Sequence, residues 1–292
     1  MVKLSIIILN YKTKELTLAC IDSIVKNYKE ELDRGDLEII LVDNASEDDS
    51  INAFKKSKHF KYLNLVLSRE NLGFGKGNNL GGEKSKGEFL LFLNSDTEIK
   101  DDGFSKMVEF IKENKSVGIL GGKLYFPDGR VQSSVGKFYT LFNLFLMLFG
   151  GERAGFLRES PAKITKVDWV SGACMMIKRD IFEKVGGFDK NIFMYMEDVD
   201  ICYVARKIGY STYFYPNILL LHNERGSSNK TFAILNIYKG VKYFYKKHMP
   251  GWRYDVALFL LKAKATVVKS IGTILGNSYY VQTYGQALEI LK

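Results

Sequence analysis

Four short apolar runs, separated by helix-like segments, occupy the first hundred residues of the chain and constrain its fold. They cover residues 4–9, 38–42, 63–67 and 89–93. Continuous apolar strands joined by helical crossovers are typical of a parallel sheet that is covered by helices on both faces. The sequence therefore predicts an α/β fold with a mostly parallel central sheet.

Polar residues follow three of these runs, where Asn10, Asp43 and Asp96 come at or just after the strand ends. Ligands of parallel sheets bind in the crevice beyond the carboxyl ends of the strands. We therefore expect these three side chains to face one crevice. Ser46, shortly after Asp43, is interpreted as the N-cap of the next helix.

Composition excludes a disordered chain, because 46% of the residues are apolar and 26% are charged over 292 residues. The three cysteines are far apart and odd in number, which favours free thiols in a reducing compartment. The first strand-like segment begins almost at Met1, so no signal peptide is expected. These features favour a cytoplasmic location.

The net charge of +9 favours an anionic partner, and much of the excess lies in the second half of the chain. Lysines there alternate with aromatic and aliphatic residues, a pattern that indicates a membrane surface rather than nucleic acid. Residues 138–149 are strongly apolar but shorter than the roughly 20 residues of a membrane-spanning helix. Residues 255–276 fit a basic amphipathic helix that lies on a membrane. Packing of both segments on the protein core is the alternative.

Two acidic groups of residues fit the chemistry of transfer from a nucleotide sugar. Asp96 in the stretch Asn94-Ser95-Asp96 can hold Mg²⁺ or Mn²⁺ at a strand end, although a turn-capping role is the alternative. The stretch from Glu197 to Asp200 has three carboxylates at a predicted helix start. Such crowding raises a pKa towards that of a general base, whereas the helix N-terminus acts in the opposite direction. An acidic capping cluster is the alternative.

A glycine-rich segment, residues 70–79, lacks the third glycine of a dinucleotide fingerprint because position 78 is Asn. We interpret its glycines as letting the backbone approach a sugar or pyrophosphate, with Asn78 and Asn79 as donors and Lys76 offsetting phosphate charge. His222 follows the final predicted strand and is a candidate metal ligand or a structural histidine. Trp169 is a candidate for stacking on a sugar, with core packing as the alternative.

Taken in order, these segments resemble glycosyltransferase family 2, in particular its rhamnosyltransferase-like members. The matching stretches together span about residues 3–228, and they are residues 5–11, 42–46, 70–79, 93–97, 168–174, 186–189 and 194–200. The resemblance implies the GT-A fold and inverting transfer in a single displacement. It also implies a catalytic domain over residues 1–228, with a nucleotide-binding half (1–100) and an acceptor-binding half (101–228). Residues 229–292 match no motif of the family, and their pattern predicts a helical C-terminal extension, with membrane contact and core packing as the alternatives.

The resemblance also assigns roles to individual residues. Asp198 is the expected general base, and Asp96 with His222 is the expected site of Mg²⁺ or Mn²⁺. Trp169 and Glu197 are expected on the acceptor side. The expected donor-binding residues are Asn10, Tyr11, Asp43, Asn71, Gly73, Lys76, Asn78, Asn94 and Asp96.

The implied donor is dTDP-rhamnose or a UDP-sugar, and the implied acceptor is a saccharide or lipid-linked saccharide in cell-surface polysaccharide synthesis at the inner face of the cytoplasmic membrane. One departure from the family pattern is Asn94, which stands at the first acidic position of the metal-binding motif. Alternatives are a sugar-phosphate nucleotidyltransferase and a non-catalytic membrane-surface binding protein. The first is disfavoured because Asn10-Tyr-Lys-Thr13 stands where its phosphate loop is expected.

Overall fold

A computed structural model describes residues 2–150, 157–223 and 229–292. The helices are α1 (Lys14–Arg34), α2 (Ser50–Lys56), α3 (Gly73–Lys84), α4 (Gly103–Glu113), α5 (Leu141–Leu148), α6 (Arg179–Val185), α7 (Glu197–Lys207), α8 (Lys230–His248), α9 (Trp252–Ile274) and α10 (Ser278–Ile290). The strands are β1 (Leu4–Asn10), β2 (Leu37–Asp43), β3 (Leu63–Leu67), β4 (Phe89–Asn94), β5 (Thr97–Ile99), β6 (Val117–Tyr125), β7 (Val131–Gln132), β8 (Val135–Gly136), β9 (Arg158–Glu159), β10 (Thr165–Val167), β11 (Trp169–Val170), β12 (Cys174–Lys178) and β13 (Ser211–His222).

The first half of the chain forms the parallel part of a central sheet, in the order β3-β2-β1-β4. The register pairs Asn10 with Asp43 and Leu9 with Asn94. The polar residues that end β1, β2 and β4 therefore meet at one edge of the sheet.

The sheet continues as β4-β12-β6-β13-β10, in which β12 is antiparallel to both of its neighbours and β13 is parallel to β6. Strand β13 has an irregular register against β6 between Tyr215 and Leu220. Its last residue, His222, pairs with Thr97 of β5. A second sheet of three strands, β11-β8-β9, lies beside this half of the molecule.

Successive residues of the central strands enter two apolar layers on opposite faces of the sheet. On β1, Ile7 belongs to one layer, whereas Ile6 and Ile8 belong to the other, and all three are fully buried. Because side chains alternate between faces, a strand covered on both sides needs apolar residues at consecutive positions. The predicted mostly parallel α/β architecture is confirmed.

The C-terminal helices join the layer that contains Ile7. Helix α8 places Val241, Phe244 and Tyr245 in this layer with full burial, and α9 packs against α8, α10 and α5. Among the described residues, no helix is both long and apolar enough to span a bilayer.

Helix α3 packs against the sheet at Gly81. A Cβ atom there would lie 2.4 Å from Cγ2 of Ile7 and 3.0 Å from Cγ2 of Val42. Both neighbours are fully buried, so they have little room to move.

We expect Gly81→Ala to lower the free energy of unfolding by about 1–3 kcal/mol, because the added methyl group overpacks this contact. Gly285→Ala is the matched control, since no atom lies within 4 Å of its Cβ position in α10. That helical substitution should stabilise the chain by about 0.5–1 kcal/mol. Urea denaturation measures both values, and equal effects of the two substitutions would contradict the packing argument.

Candidate active site

The first part of the site lies where β1 and β2 end. Asn10 and Asp43 are buried, with exposures of 0% and 2%. Asp43 Oδ1 accepts hydrogen bonds from Asn10 Nδ2 (2.7 Å) and Ser46 Oγ (2.6 Å), and Asp43 Oδ2 accepts from Ser46 N (3.1 Å). Helix α2 begins at Ser50, so the expected N-cap role of Ser46 is wrong: its hydroxyl orients Asp43 instead.

A chain of hydroxyl groups connects this cluster to the end of β4. Asn10 Oδ1 accepts hydrogen bonds from Thr13 Oγ1 (3.1 Å) and Thr17 Oγ1 (2.8 Å). Thr13 Oγ1 is also 2.9 Å from Ser95 Oγ. Ser95 directly precedes Asp96, so Asp43 and Asp96 belong to one connected polar edge.

Asp96 and His222 form the second part of the site, with 3.3 Å between Asp96 Oδ1 and His222 Nε2. Both residues are 8% exposed. His222 Nδ1 is 2.8 Å from Gln132 Oε1, which only accepts, so Nδ1 carries a hydrogen. Nε2 lies 3.3 Å from Asn94 Nδ2 as well as from Asp96 Oδ1. A carboxylate beside an imidazole whose other nitrogen is held by an outer hydrogen bond is a donor set that fits a divalent cation.

In the described part of the chain, no group of three or more His, Cys, Asp or Glu residues could hold a metal ion. Asp96 and His222 thus supply two protein ligands. A cation at this pair would need oxygen atoms of water or of a diphosphate for the other positions.

One turn, residues 171–173, separates this pair from Asp198. Asn94 N donates to Ala173 O (3.0 Å), and Gly172 N donates to Asp198 Oδ2 (3.3 Å). Asp96 and Asp198, about a hundred residues apart in the sequence, therefore flank the same turn.

Two carboxyl groups at the start of α7 share an environment of low polarity. Asp198 is half-buried, and its Oδ1 accepts from Val199 N (2.8 Å). Glu197 is 6% exposed, and its buried Oε2 has no hydrogen-bond partner among the residues that the structure describes. Burial raises the pKa of Glu197 well above its ordinary value, and the charge of Asp198 raises it further. Burial also raises the pKa of Asp198, against which the charge of Arg158 and the N–H groups of Val199 and Gly172 act.

The backbone before these carboxyl groups is strained. Tyr195 and Met196 have φ values of 66° and 79°, in the left-handed region that non-glycine residues rarely adopt. Helix α8 supports this turn through Gly240, where a Cβ atom would lie 2.9 Å from Tyr195 O and 2.7 Å from Met196 Cγ. The close approach of α8 thus helps to fix where α7 begins.

The third carboxylate of the acidic group, Asp200, faces α8 rather than the crevice. It is 2% exposed, and it contacts Lys247 Nζ (2.8 Å) and His248 Nε2 (2.7 Å). Lys247 Nζ also contacts Asp189 Oδ2 at 2.7 Å. Asp200 and Asp189 are therefore structural residues that attach α8 to the sheet domain.

The glycine-rich segment is the beginning of α3, and its glycines accommodate other parts of the protein. A Cβ atom at Gly73, where φ is +76°, would lie 2.2 Å from Phe193 O, and one at Gly77 would lie 2.6 Å from Leu9 Cδ1. Protein atoms thus fill the side on which a side chain would lie, and the approach of this backbone to a sugar or pyrophosphate stays a prediction.

Several amides of this segment are also committed to the fold. Asn79 bonds Phe188 through both its Nδ2 (2.8 Å) and its Oδ1 (2.9 Å), which corrects its expected role as a donor to ligand. Asn78 Nδ2 donates to Phe74 O (3.0 Å), and Asn71 Oδ1 accepts from Gly73 N (3.0 Å).

Two other expected donor-binding side chains are more exposed than these amides. Lys76 is exposed, and Tyr11 is partly exposed with Lys12 Nζ at 5.3 Å from its ring centroid. Their donor-binding roles stay predictions.

Trp169 does not line the acceptor side. It is 1% exposed, its Nε1 donates to Lys137 O (3.0 Å), and the guanidinium of Arg158 lies 5.2 Å from its ring centroid. Its ring also packs against Gly136. The expected stacking of Trp169 on a sugar is wrong because no ring face is open to a ligand.

Sequence reasoning missed Gln132 and Arg158. Gln132 lies on the two-residue strand β7 and Arg158 on the two-residue strand β9, so neither belongs to a periodic pattern. Arg158 comes close to Asp198 only through tertiary packing. The sequence offered one indication of such a basic residue: the carboxylates at residues 197–200 have no basic residue among them.

Comparison with known proteins finds relatives over most of this chain. One relative, N-acetylglucosaminyl-diphospho-decaprenol L-rhamnosyltransferase of Mycobacterium tuberculosis, is 26% identical over 241 residues, which is 73% of this chain and 76% of that protein. An uncharacterized protein of Sinorhizobium fredii, y4gI, is 32% identical over 66% of this chain, which spans only 22% of its length.

A solved structure with the same fold is a mannosyltransferase of Pyrobaculum calidifontis in complex with GDP-Man and Mn²⁺. It superposes with a TM-score of 0.60 at 16% sequence identity, over 99% of this chain and 85% of that one. This likeness shows the GT-A fold.

The model of the glycosyl transferase family 2 matches residues 5–186, well over half of the chain. This match supports neither of the two alternatives, a sugar-phosphate nucleotidyltransferase or a non-catalytic membrane-surface binding protein. The chain belongs to glycosyl transferase family 2, is similar to its rhamnosyltransferases, and is a glycosyltransferase of the GT-A fold.

Proposed function

We propose that this glycosyltransferase moves a sugar from a nucleoside-diphosphate donor to an acceptor hydroxyl with inversion at the anomeric carbon. The observation that carries the proposal is that the Asp96–His222 pair and Asp198 flank the same turn, residues 171–173. A diphosphate at the pair and an acceptor at Asp198 would then approach the anomeric carbon from opposite sides. dTDP-rhamnose or a UDP-sugar is the proposed donor, because a similar protein is named as a rhamnosyltransferase.

Asp198 is the proposed general base. The acceptor oxygen bonds to the anomeric carbon as the bond from that carbon to the diphosphate oxygen breaks, and Asp198 takes the hydroxyl proton. Burial raises the pKa of Asp198 above its ordinary value, which strengthens it as a base. The Gly172 and Val199 N–H groups keep the carboxylate in place while it is ionised.

Burial and the neighbouring charge of Asp198 raise the pKa of Glu197, so this carboxyl group is proposed to hold its proton to higher pH than an ordinary glutamate. Its Oε2 is unpartnered but itself buried, so its expected acceptor-side role stays a proposal. Two carboxyl groups with different protonation states are a common arrangement for acid–base work.

Asp96 and His222 are the proposed ligands of Mg²⁺ or Mn²⁺, and a bound cation would supply positive charge that stabilises the departing diphosphate. The donor set fits, since Gln132 holds His222 with Nε2 directed at Asp96. Asp43 is the proposed contact to the nucleotide base, because its Oδ2 accepts only the bond from Ser46 N and retains a second acceptor site.

The proposed acceptor is a saccharide or lipid-linked saccharide of cell-surface polysaccharide synthesis, presented at the inner face of the cytoplasmic membrane. The support is the name of the mycobacterial relative, which specifies a decaprenol-linked acceptor.

We expect Asp198→Asn to lower kcat by about 10²–10⁴-fold, because the base is lost while the hydrogen bond from Gly172 can persist. Asp200→Asn is the matched control two residues away: it should keep kcat within about tenfold but lower the free energy of unfolding by about 1–3 kcal/mol, since it breaks the contacts to Lys247 and His248. Released nucleoside diphosphate and urea denaturation measure the two effects. Retained turnover in the Asp198 variant would remove that residue from its role.

We expect Asp96→Asn to weaken binding of Mn²⁺ in the presence of a nucleoside diphosphate by about 10–100-fold, because a charged ligand is lost. Glu98→Gln is the control, since Glu98 lies two residues from Asp96 and pairs with Lys100. Titration of Mn²⁺ by electron paramagnetic resonance measures the affinity without turnover. Equal affinities in the two variants would place the cation elsewhere.

We expect Glu197→Gln to stabilise the chain increasingly as the pH rises above the usual range of a Glu pKa. A raised pKa in the folded state means that the native chain retains a proton that the unfolded chain releases, so the wild type loses stability as pH rises towards the folded-state pKa. Thermal melting of both proteins from acid to neutral pH measures the difference. A gap that is constant with pH would show that Glu197 titrates normally.

A further inference from the structure

Helices α5 and α9 each carry two apolar stripes, and only one stripe of each is covered by the protein. On α5, Leu144 and Leu148 are buried, whereas Phe142 is 69% and Phe145 47% exposed. The α5 helix contains no charged residue. Its exposed rings therefore leave one uncharged aromatic face in contact with solvent.

The same division runs along α9. Ala257, Leu261 and Ala265 are buried on one side. At 100° per residue, the exposed residues form a second stripe on the far side of the helix. Its main members, with exposures from 38% to 83%, are Trp252, Val256, Phe259, Val267, Ile271 and Ile274. This stripe extends over the 23 residues of α9, which is about 35 Å.

The two exposed stripes are neighbours, because α5 packs against α9 and Lys264 Nζ lies 5.7 Å from the ring centroid of Phe149. We call this combined surface the α5–α9 face. Scattered apolar residues are normal on a protein surface, whereas a contiguous group of this size marks an interaction site.

Cations border this face. On the helical wheel of α9, Arg253 and Lys264 lie along one border of the exposed stripe, and Lys262 and Lys269 lie beyond the other. Asp255 is the single acidic residue of the helix. An apolar stripe between two cationic borders has the charge and shape that suit the headgroup region of an anionic bilayer.

A second copy of the chain is a poorer partner for the same face. A twofold interface brings the same surface of both copies together, so the lysines of one copy would face the lysines of the other. Like charges at such distances repel. Anionic lipid complements both the apolar stripe and its borders.

We propose that the α5–α9 face docks this enzyme on an anionic lipid bilayer, with the aromatic and aliphatic side chains in the headgroup region and the lysines on lipid phosphates. The inference rests on the proposed function only for its consequence, which is that a lipid-linked acceptor reaches the site from that bilayer. Docking itself requires neither donor nor acceptor.

The two tryptophans make a site-specific test possible. Trp252 is 65% exposed on the face, whereas Trp169 is 1% exposed in the core. With phosphatidylcholine vesicles that contain about one third phosphatidylglycerol, we expect a blue shift of tryptophan emission and co-sedimentation at low ionic strength, both reduced by salt. Trp252→Phe should abolish the emission change and retain most of the sedimentation.

Variants then separate the apolar and the charged contributions. F259S/I274S should weaken vesicle binding at least about tenfold, and its matched control I164S/I208S, with exposed isoleucines elsewhere, should bind as the wild type does. K262Q/K264Q/K269Q should weaken binding to the anionic vesicles by about 100-fold. Circular dichroism melting verifies that each variant is folded.

Two results would overturn the proposal. One is wild-type protein that stays in the supernatant with anionic vesicles at low ionic strength. The other is a wild-type dimer in analytical ultracentrifugation that F259S/I274S converts to a monomer while vesicle binding is unchanged, which would assign the face to a second copy. Nucleoside diphosphate release with a water-soluble acceptor, measured without vesicles, tests the proposed function separately.

Discussion

The arrangement of the site depends on how the repulsion between three carboxyl groups within four residues is relieved at the start of α7. The surroundings of each group differ. Asp200 is neutralised by Lys247 and His248, Glu197 gains a raised pKa from burial and from the charge beside it, and Asp198 is stabilised by two backbone N–H groups. The charge of Asp200 is thereby offset, whereas Glu197 and Asp198 lie together at the start of α7 with pKa values that are both raised.

Helix α8 makes this arrangement possible, because it contacts the acidic group from the side opposite the crevice. It supplies Lys247 to Asp200, and it places Gly240 against the strained turn at Tyr195 and Met196. It also packs on α9, which carries the exposed apolar stripe. One helix therefore connects the proposed base, the core and the proposed lipid surface, so the C-terminal segment is continuous with the layer that supports the site.

The parts of the fold that the sequence predicts are those in which local pattern and global structure coincide. Consecutive apolar residues on β1 and β4 mark strands buried on both faces, and the polar residues at their ends meet for that reason. Trp169 was misread because its partner, Lys137, is distant in the sequence. Gln132 could not be found, since its contact with His222 depends on the path of a two-residue strand.

The segments at residues 138–149 and 255–276 show a further reason why sequence alone is ambiguous. Core packing and surface binding were alternatives, yet α9 buries Leu261 against the protein and exposes Phe259 two positions earlier. Because neighbouring residues lie 100° apart, a helix with apolar residues on two sides has weak overall amphipathicity. Such a pattern is expected of a helix between two apolar environments, and here the protein supplies only one of them.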